Sequence, residues 1–108
     1  MMNKLDGIAR GISAAAAKER IEAGKVVLLD VRTPVEVAEV NLPYASIHIP
    51  LGALRDRFEE LPRDRDILAY CKVSMRGYEA QLILNAAGFD RVSFIEGGVV
   101  GWPYELAR

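Results

Sequence analysis

Ile67-Leu68-Ala69-Tyr70-Cys71-Lys72-Val73-Ser74-Met75-Arg76-Gly77-Tyr78 reads as an apolar strand that runs into a short loop and then a helix. The one cysteine of the chain is the first loop residue, and Arg76 stands five positions later, where the helix should begin. A strand–loop–helix junction aims backbone N–H groups and the positive helix end at whatever occupies the loop. That setting favours a thiolate over a thiol. The expected centre of the molecule is therefore a nucleophilic sulfur on Cys71.

Working outward, the flanking segments alternate between strand and helix signals. Met1 to Gly11 mixes charges and glycines and is expected to be a tail or linker, with the domain over residues 12–108. Ile12 is expected to be a brief edge strand. Ser13 is a good N-cap for a helix over Ala14 to Ala23, closed by Gly24. Val26 to Asp30 is apolar without alternation, as a strand buried on both faces of a parallel sheet would be. Thr33-Pro34-Val35-Glu36 has the N-cap, N1 proline and N3 glutamate of a capping box. Ser46 to Ile49 is a short strand stopped by Pro50. The spacing of Leu51, Leu54, Phe58 and Leu61 predicts an amphipathic helix over Leu51 to Leu61. A further helix is expected over Gly77 to Ala87, a last strand over Arg91 to Ile95, and a final helical turn within Val99 to Leu106. Strands alternating with helices imply an α/β fold: a central parallel sheet of about five strands with helices on both faces. Ligands of such sheets bind at the carboxyl ends of the strands, where Cys71 lies.

Composition narrows the function. The chain has 108 residues, the size of one domain, and its net charge of -1 gives no basic field for nucleic acid. One cysteine makes no internal disulfide, and with a single histidine it makes no closed zinc site without carboxylates. The first ten residues lack the apolar run of a secretory signal, and no segment approaches a membrane span of ~20 apolar residues. A cytoplasmic setting, with no membrane partner, is the expectation.

At these motifs the chain resembles the rhodanese-like sulfurtransferase family, from about Ile12 to Trp102. Asp30-Val31-Arg32-Thr33-Pro34, followed by Glu36, resembles the family's Asp-Val-Arg segment. Asn41 to Ala45 with Ile47-His48-Ile49-Pro50 stands where the family has Gly-His-Ile-Pro-Gly-Ala. Cys71 to Arg76 matches a six-residue active loop, and Gly88-Phe89, Glu96-Gly97-Gly98 and Trp102 match the closing pattern. Gly77-Tyr78 after the arginine is most similar to rhodanese domains attached to coenzyme A-disulfide reductases and related pyridine nucleotide-disulfide oxidoreductases. Ser74 departs from a frequent glycine, Asn41 from a frequent histidine and Tyr44 from a frequent glycine.

The resemblance implies sulfur transfer through a Cys71 persulfide, from thiosulfate, a persulfide or a polysulfide to a thiophilic acceptor. Backbone N–H groups of Lys72, Val73, Ser74, Met75 and Arg76 would cradle the persulfide, and the Lys72 and Arg76 side chains could add positive charge. No cofactor is expected in this domain, since no Gly-x-Gly-x-x-Gly segment is present. FAD, NAD(P)H or coenzyme A would belong to an attached or partner flavin-dependent reductase. Bland readings stand beside these. Cys71 can be a small buried hydrophobe, Arg76 can pair with a carboxylate, and Lys72 can merely be solvated. Asp30 and Arg32 read as ties between strand ends and turns, and His48 as packing. A dual-specificity phosphatase of similar fold uses Cys-(x)5-Arg, whereas four residues separate Cys71 from Arg76 here. A non-enzymatic sulfur-sensing or docking module is the alternative from another class.

Overall fold

The computed structural model describes residues 10–108. Five parallel strands form one sheet in the order β1-β5-β4-β2-β3, with β1 Gly11–Ile12, β2 Val26–Asp30, β3 Ile47–His48, β4 Asp66–Tyr70 and β5 Val92–Ile95. The helices are α1 Ala14–Glu22, α2 Pro34–Glu39, α3 Leu54–Arg57 and α4 Met75–Ala86. This is the expected α/β architecture. The expected tail lies largely outside the described residues. Sheet pairing begins one residue earlier than expected, with Gly11 beside Phe94, and Arg10 is tied in by its carbonyl, which accepts from Phe94 N–H at 3.1 Å.

The unbroken apolar strands are explained by two cores, one per face. Leu29, Ile67, Ala69, Cys71 and Phe94 pack against Ala80 and Leu84 of α4 and against Leu54. Leu28, Leu68, Tyr70 and Ile95 point the other way, against Ala17, Leu42, Val99 and Trp102. Neighbouring strand residues thus feed opposite cores, which is the period-2 geometry of a strand. The expected caps are present: Ser13 Oγ accepts from Ala16 N–H, and Thr33 and Glu36 form the full capping box.

Three expectations are corrected. The helix over Leu51 to Leu61 is a single α-turn, Leu54–Arg57, between 3-10 turns Leu51–Ala53 and Phe58–Glu60. The three-residue spacings Leu51–Leu54 and Phe58–Leu61 fall in the 3-10 turns, whose repeat is three, and the four-residue spacing falls in the α-turn. The helix expected from Gly77 begins at Met75, with Ser74 as N-cap. Val99 to Leu106 holds no helix beyond one turn, in which Trp102 N–H donates to Val99 carbonyl at 3.2 Å. The N–H groups of Val99 and Val100 donate to Cys71 and Lys72 carbonyls, Pro103 has no N–H to extend the turn, and beyond it the chain runs out to pair Ala107 with Asn41.

The sheet order places β4 at the centre, between β5 and β2. After β2 the chain moves outward to β3, then returns across β2 to β4. Strand order reverses between β2 and β4, and a crevice opens at their carboxyl ends. Asp30 and Tyr70 are register partners there, so Cys71 emerges directly beside Val31 and Arg32.

Candidate active site

Cys71 follows the last residue of the central strand and has no solvent-accessible surface. Its Sγ accepts a hydrogen bond from Gly77 N–H at 3.3 Å. Gly77 occupies the third position of α4, so this donor is one of the first-turn N–H groups that a helix cannot satisfy internally. The N-cap residue does not take it. Ser74 makes no capping bond, because its Oγ accepts from Gly97 N–H at 2.8 Å. Sulfur therefore occupies the place of the capping oxygen, at the positive end of a twelve-residue helix.

Gly77 is small for a reason visible in the packing. A Cβ there would stand 3.2 Å from Phe94 Cβ, so glycine lets α4 lie close enough to β5 for its N–H to reach the sulfur. Sequence reasoning ended the cradle at Arg76 and missed this donor. The loop residues themselves divide. Lys72, Val73 and Met75 are exposed, Ser74 and Arg76 half-buried. Ser74 has φ -123°, which any residue adopts, so serine in place of glycine strains nothing.

The loop is held from behind by the Glu96–Val100 turn. Val99 N–H donates to Cys71 carbonyl at 3.0 Å and Val100 N–H to Lys72 carbonyl at 2.9 Å. With the Ser74–Gly97 bond this makes three clamps across five residues. Gly98 has φ +55°, and a Cβ on it would fall 2.2 Å from Val73 carbonyl oxygen and 2.3 Å from that of Cys71. Turn and loop are in backbone contact there, which only glycine allows.

Arg76 does not stand free over the loop. Its Nη1 and Nη2 donate to Glu36 Oε1 and Oε2, both at 2.8 Å. The pair links the start of α4 to α2 across the crevice. The Arg76 hydrogen bond, first among the causes, holds the Glu36 carboxyl down to about 2, against an ordinary 4.5. The same bonds raise the Arg76 pKa, and the charges of Cys71 and Asp30 add to the rise. The guanidinium thus lies within the field of the Cys71 sulfur. Sequence reasoning had Glu36 as a capping residue and as part of the Asp-Val-Arg segment, and Arg76 with an unnamed carboxylate as its bland partner.

Beside the loop, Arg32 is 2% exposed and fully engaged. Its Nε and Nη2 donate to Asp30 at 3.0 and 2.8 Å, Nη1 donates to Val40 carbonyl at 2.7 Å, and Nη2 also donates to Asn41 Oδ1 at 2.8 Å. Tyr70 hydroxyl donates to Asp30 Oδ2 at 2.9 Å, and burial, first among the causes, drives its pKa up. Asp30 and Arg32 tie strand ends to the α2–β3 segment, and Asn41 joins them. His48 Nε2 meets Arg32 carbonyl at 2.7 Å, so the ring donates there through Nε2.

A cavity of about 100 Å³ opens at this end of the sheet, lined among others by Arg32, Glu36, Glu39, Lys72 and Val100. A larger groove of about 780 Å³ lies between the Leu51–Phe58 segment and α4, with Leu82 and Ile83 in its wall, and its lining includes no residue of the Cys71–Arg76 loop. Of the large apolar side chains that are exposed, Val35, Val73, Met75 and Val100 all sit on segments that follow β2, β4 and β5 at this end.

Comparison with known proteins agrees with the geometry. The family model described as Rhodanese-like domain matches residues 13–105. A sulfurtransferase of Allochromatium vinosum is 32% identical over 102 residues, covering 94% of this chain and 89% of the relative. Among solved structures, reduced Bacillus anthracis CoADR-RHD is 37% identical with a TM-score of 0.81 over 90% of this chain. A NAD-dependent persulfide reductase from A. fulgidus is 40% identical with a TM-score of 0.72 over 94% of this chain. The chain spans 17% of each of those two proteins. No helix among the described residues is long and apolar enough to cross a membrane.

Proposed function

Starting from the chain's membership of the rhodanese-like domain family, whose model covers residues 13–105 and whose relatives include sulfurtransferases, we propose that Cys71 carries sulfane sulfur as a persulfide between a small donor and a thiophilic acceptor. One observation carries the reading: Cys71 Sγ is the acceptor of a first-turn N–H of α4, donated by Gly77. That place offers a backbone donor and the positive end of α4 to an anionic sulfur species.

In the first half-reaction the Cys71 thiolate attacks the outer sulfur of R–S–S⁻. The donor S–S bond breaks, Cys71–S–S⁻ forms, and R–S⁻ leaves with the electron pair of the broken bond. With thiosulfate the leaving group is sulfite. In the second, an acceptor thiolate or cyanide takes the terminal sulfur and returns Cys71 to the thiolate, completing a ping-pong cycle. Backbone N–H groups of Lys72 through Arg76, joined by that of Gly77, hold the anionic persulfide in this scheme. No general base is required, since no proton moves in either attack.

The loop of four residues between Cys71 and Arg76 suits a sulfur atom better than a phosphate group. Detectable hydrolysis of an aryl phosphate, lost in Cys71→Ser, would favour the phosphatase reading instead. The likeness to two reductases supports a setting in which an attached or partner reductase, with FAD, NAD(P)H or coenzyme A in its own domain, supplies electrons. The full burial of Cys71 favours a second reading, a sulfur-sensing or docking module. Turnover separates the two: a sulfurtransferase forms thiocyanate from thiosulfate or a polysulfide with cyanide, and a sensor does not.

A further inference from the structure

Sulfur transfer from thiosulfate brings a dianion up to a thiolate, so three negative charges meet in the transition state. Such a site needs uncommitted cations. At the crevice, Arg32, Lys72 and Arg76 face Asp30, Glu36 and Glu39. Arg32 is spent on Asp30, Val40 and Asn41 and is 2% exposed. Arg76 is spent on both oxygens of Glu36. Lys72 is exposed and faces a cavity that Glu36 and Glu39 also line. These side-chain charges balance, three against three, and give a dianion no net attraction of their own beyond the backbone N–H groups, which serve any anionic donor.

The rim offers something else. Val73 and Met75 of the loop, Val35 at the start of α2 and Val100 of the closing turn are 48–69% exposed. They offer contact to a donor with an apolar body.

We propose that Glu36 is a specificity-determining residue: by occupying the Arg76 guanidinium in a bidentate pair, it turns the site against dianionic donors and toward monoanionic persulfides of low-charge thiols. Glu36 acts through Arg76 and is a positioning residue. The inference rests on the sulfur-transfer reading and deepens it. The carboxyl stays ionised throughout the neutral range, since its Arg76 hydrogen bond holds its pKa to about 2.

Glu36→Gln tests this cleanly. Glutamine keeps the side-chain acceptor that the capping box with Thr33 uses, so α2 retains its start. It removes the charge that holds Arg76. The measurement is the rate of sulfur loading on Cys71 from thiosulfate and from 2-hydroxyethyl persulfide, each over a range of concentrations, in wild type and E36Q. The ratio of the two donors is read within each protein, so any loss of folded protein cancels. For thiosulfate, kcat/KM is expected to rise about tenfold, chiefly through KM, because the charge-assisted Arg76 Nη2 donor, whose Glu36 Oε2 acceptor is lost, becomes available and the opposing carboxylate charge is gone. The persulfide value is expected to move less than about twofold, the scale of an exposed charge change. An unchanged donor ratio, whether both rates hold or both fall together, overturns the proposal while leaving sulfur transfer standing. Failure of wild type and variant to load sulfur from either donor overturns the sulfur-transfer reading, and the selectivity with it.

Discussion

Gly98→Ala should damage the loop from a distance, and Gly24→Ala shows by how much. Both glycines have positive φ, +55° and +70°. At Gly24 an added Cβ meets nothing within 4 Å, so its cost is only that of a side chain in the left-handed region, about 1–2 kcal/mol. At Gly98 the same Cβ meets Val73 carbonyl oxygen at 2.2 Å, Cys71 carbonyl oxygen at 2.3 Å and Lys72 carbonyl carbon at 2.7 Å. All three are backbone atoms and cannot swing away. Restoring even 3.0 Å to the nearest requires turn and loop to part by about 0.8 Å. The Val99–Cys71 and Val100–Lys72 bonds, now 3.0 and 2.9 Å, would then exceed 3.6 Å and cease to be hydrogen bonds. Two bonds at about 1 kcal/mol each add about 2 kcal/mol to the conformational term. Urea unfolding should place Gly98→Ala about 3–4 kcal/mol below wild type and about 2 kcal/mol below Gly24→Ala, with m unchanged. Gly98→Ala should also slow sulfur loading of Cys71, which Gly24→Ala should not. Equal stability of the two variants would refute the claim that the closing turn braces the loop.

Ser74→Ala removes the acceptor for Gly97 N–H at 2.8 Å and should cost about 1 kcal/mol by the same assay, with slower sulfur loading. Arg32→Met leaves the Asp30 carboxylate buried without its cation and should cost about 3–5 kcal/mol, whereas Tyr70→Phe, which removes one of several bonds to Asp30, should cost about 1 kcal/mol. The Glu36 carboxyl is lowered to about 2 by its hydrogen bond from Arg76, so the folded state prefers the anion. That contribution is complete above about pH 5 and is lost as pH falls toward 2. Thermal midpoints between pH 2 and 6 should therefore fall less steeply in Glu36→Gln than in wild type, and parallel curves would show the pair to be inert.

The sheet and most caps were readable from residue pattern because the signals are local. Val26 to Leu29 and Ile67 to Tyr70 are apolar runs, as strands between two cores must be, and Thr33-Pro34-Val35-Glu36 carries its capping box within four residues. The active loop was legible for the same reason: cysteine, arginine and the count between them lie together. Its supports were not. Glu36 and Arg76 are forty positions apart and meet only because β2 and β4 are neighbours. Gly98 reads as a turn glycine, and nothing nearby says that its turn lies on the backbone of Cys71 to Val73. Gly77 looked like a marker of kinship, yet its size lets α4 approach Phe94 and its N–H meets the sulfur. The final helical turn stops at one hydrogen bond, Trp102 N–H to Val99 carbonyl at 3.2 Å, because Pro103 has no N–H to continue it.

The central claim is that Cys71 carries one sulfane sulfur. Intact mass of the protein after treatment with thiosulfate, a low-molecular-weight persulfide or polysulfide, followed by fragment masses, tests it most directly. The account predicts the gain of a single sulfur atom located on Cys71, removed by cyanide with release of thiocyanate and absent in Cys71→Ser. A protein that gains no sulfur from any of these donors, or gains it equally in Cys71→Ser, would contradict it.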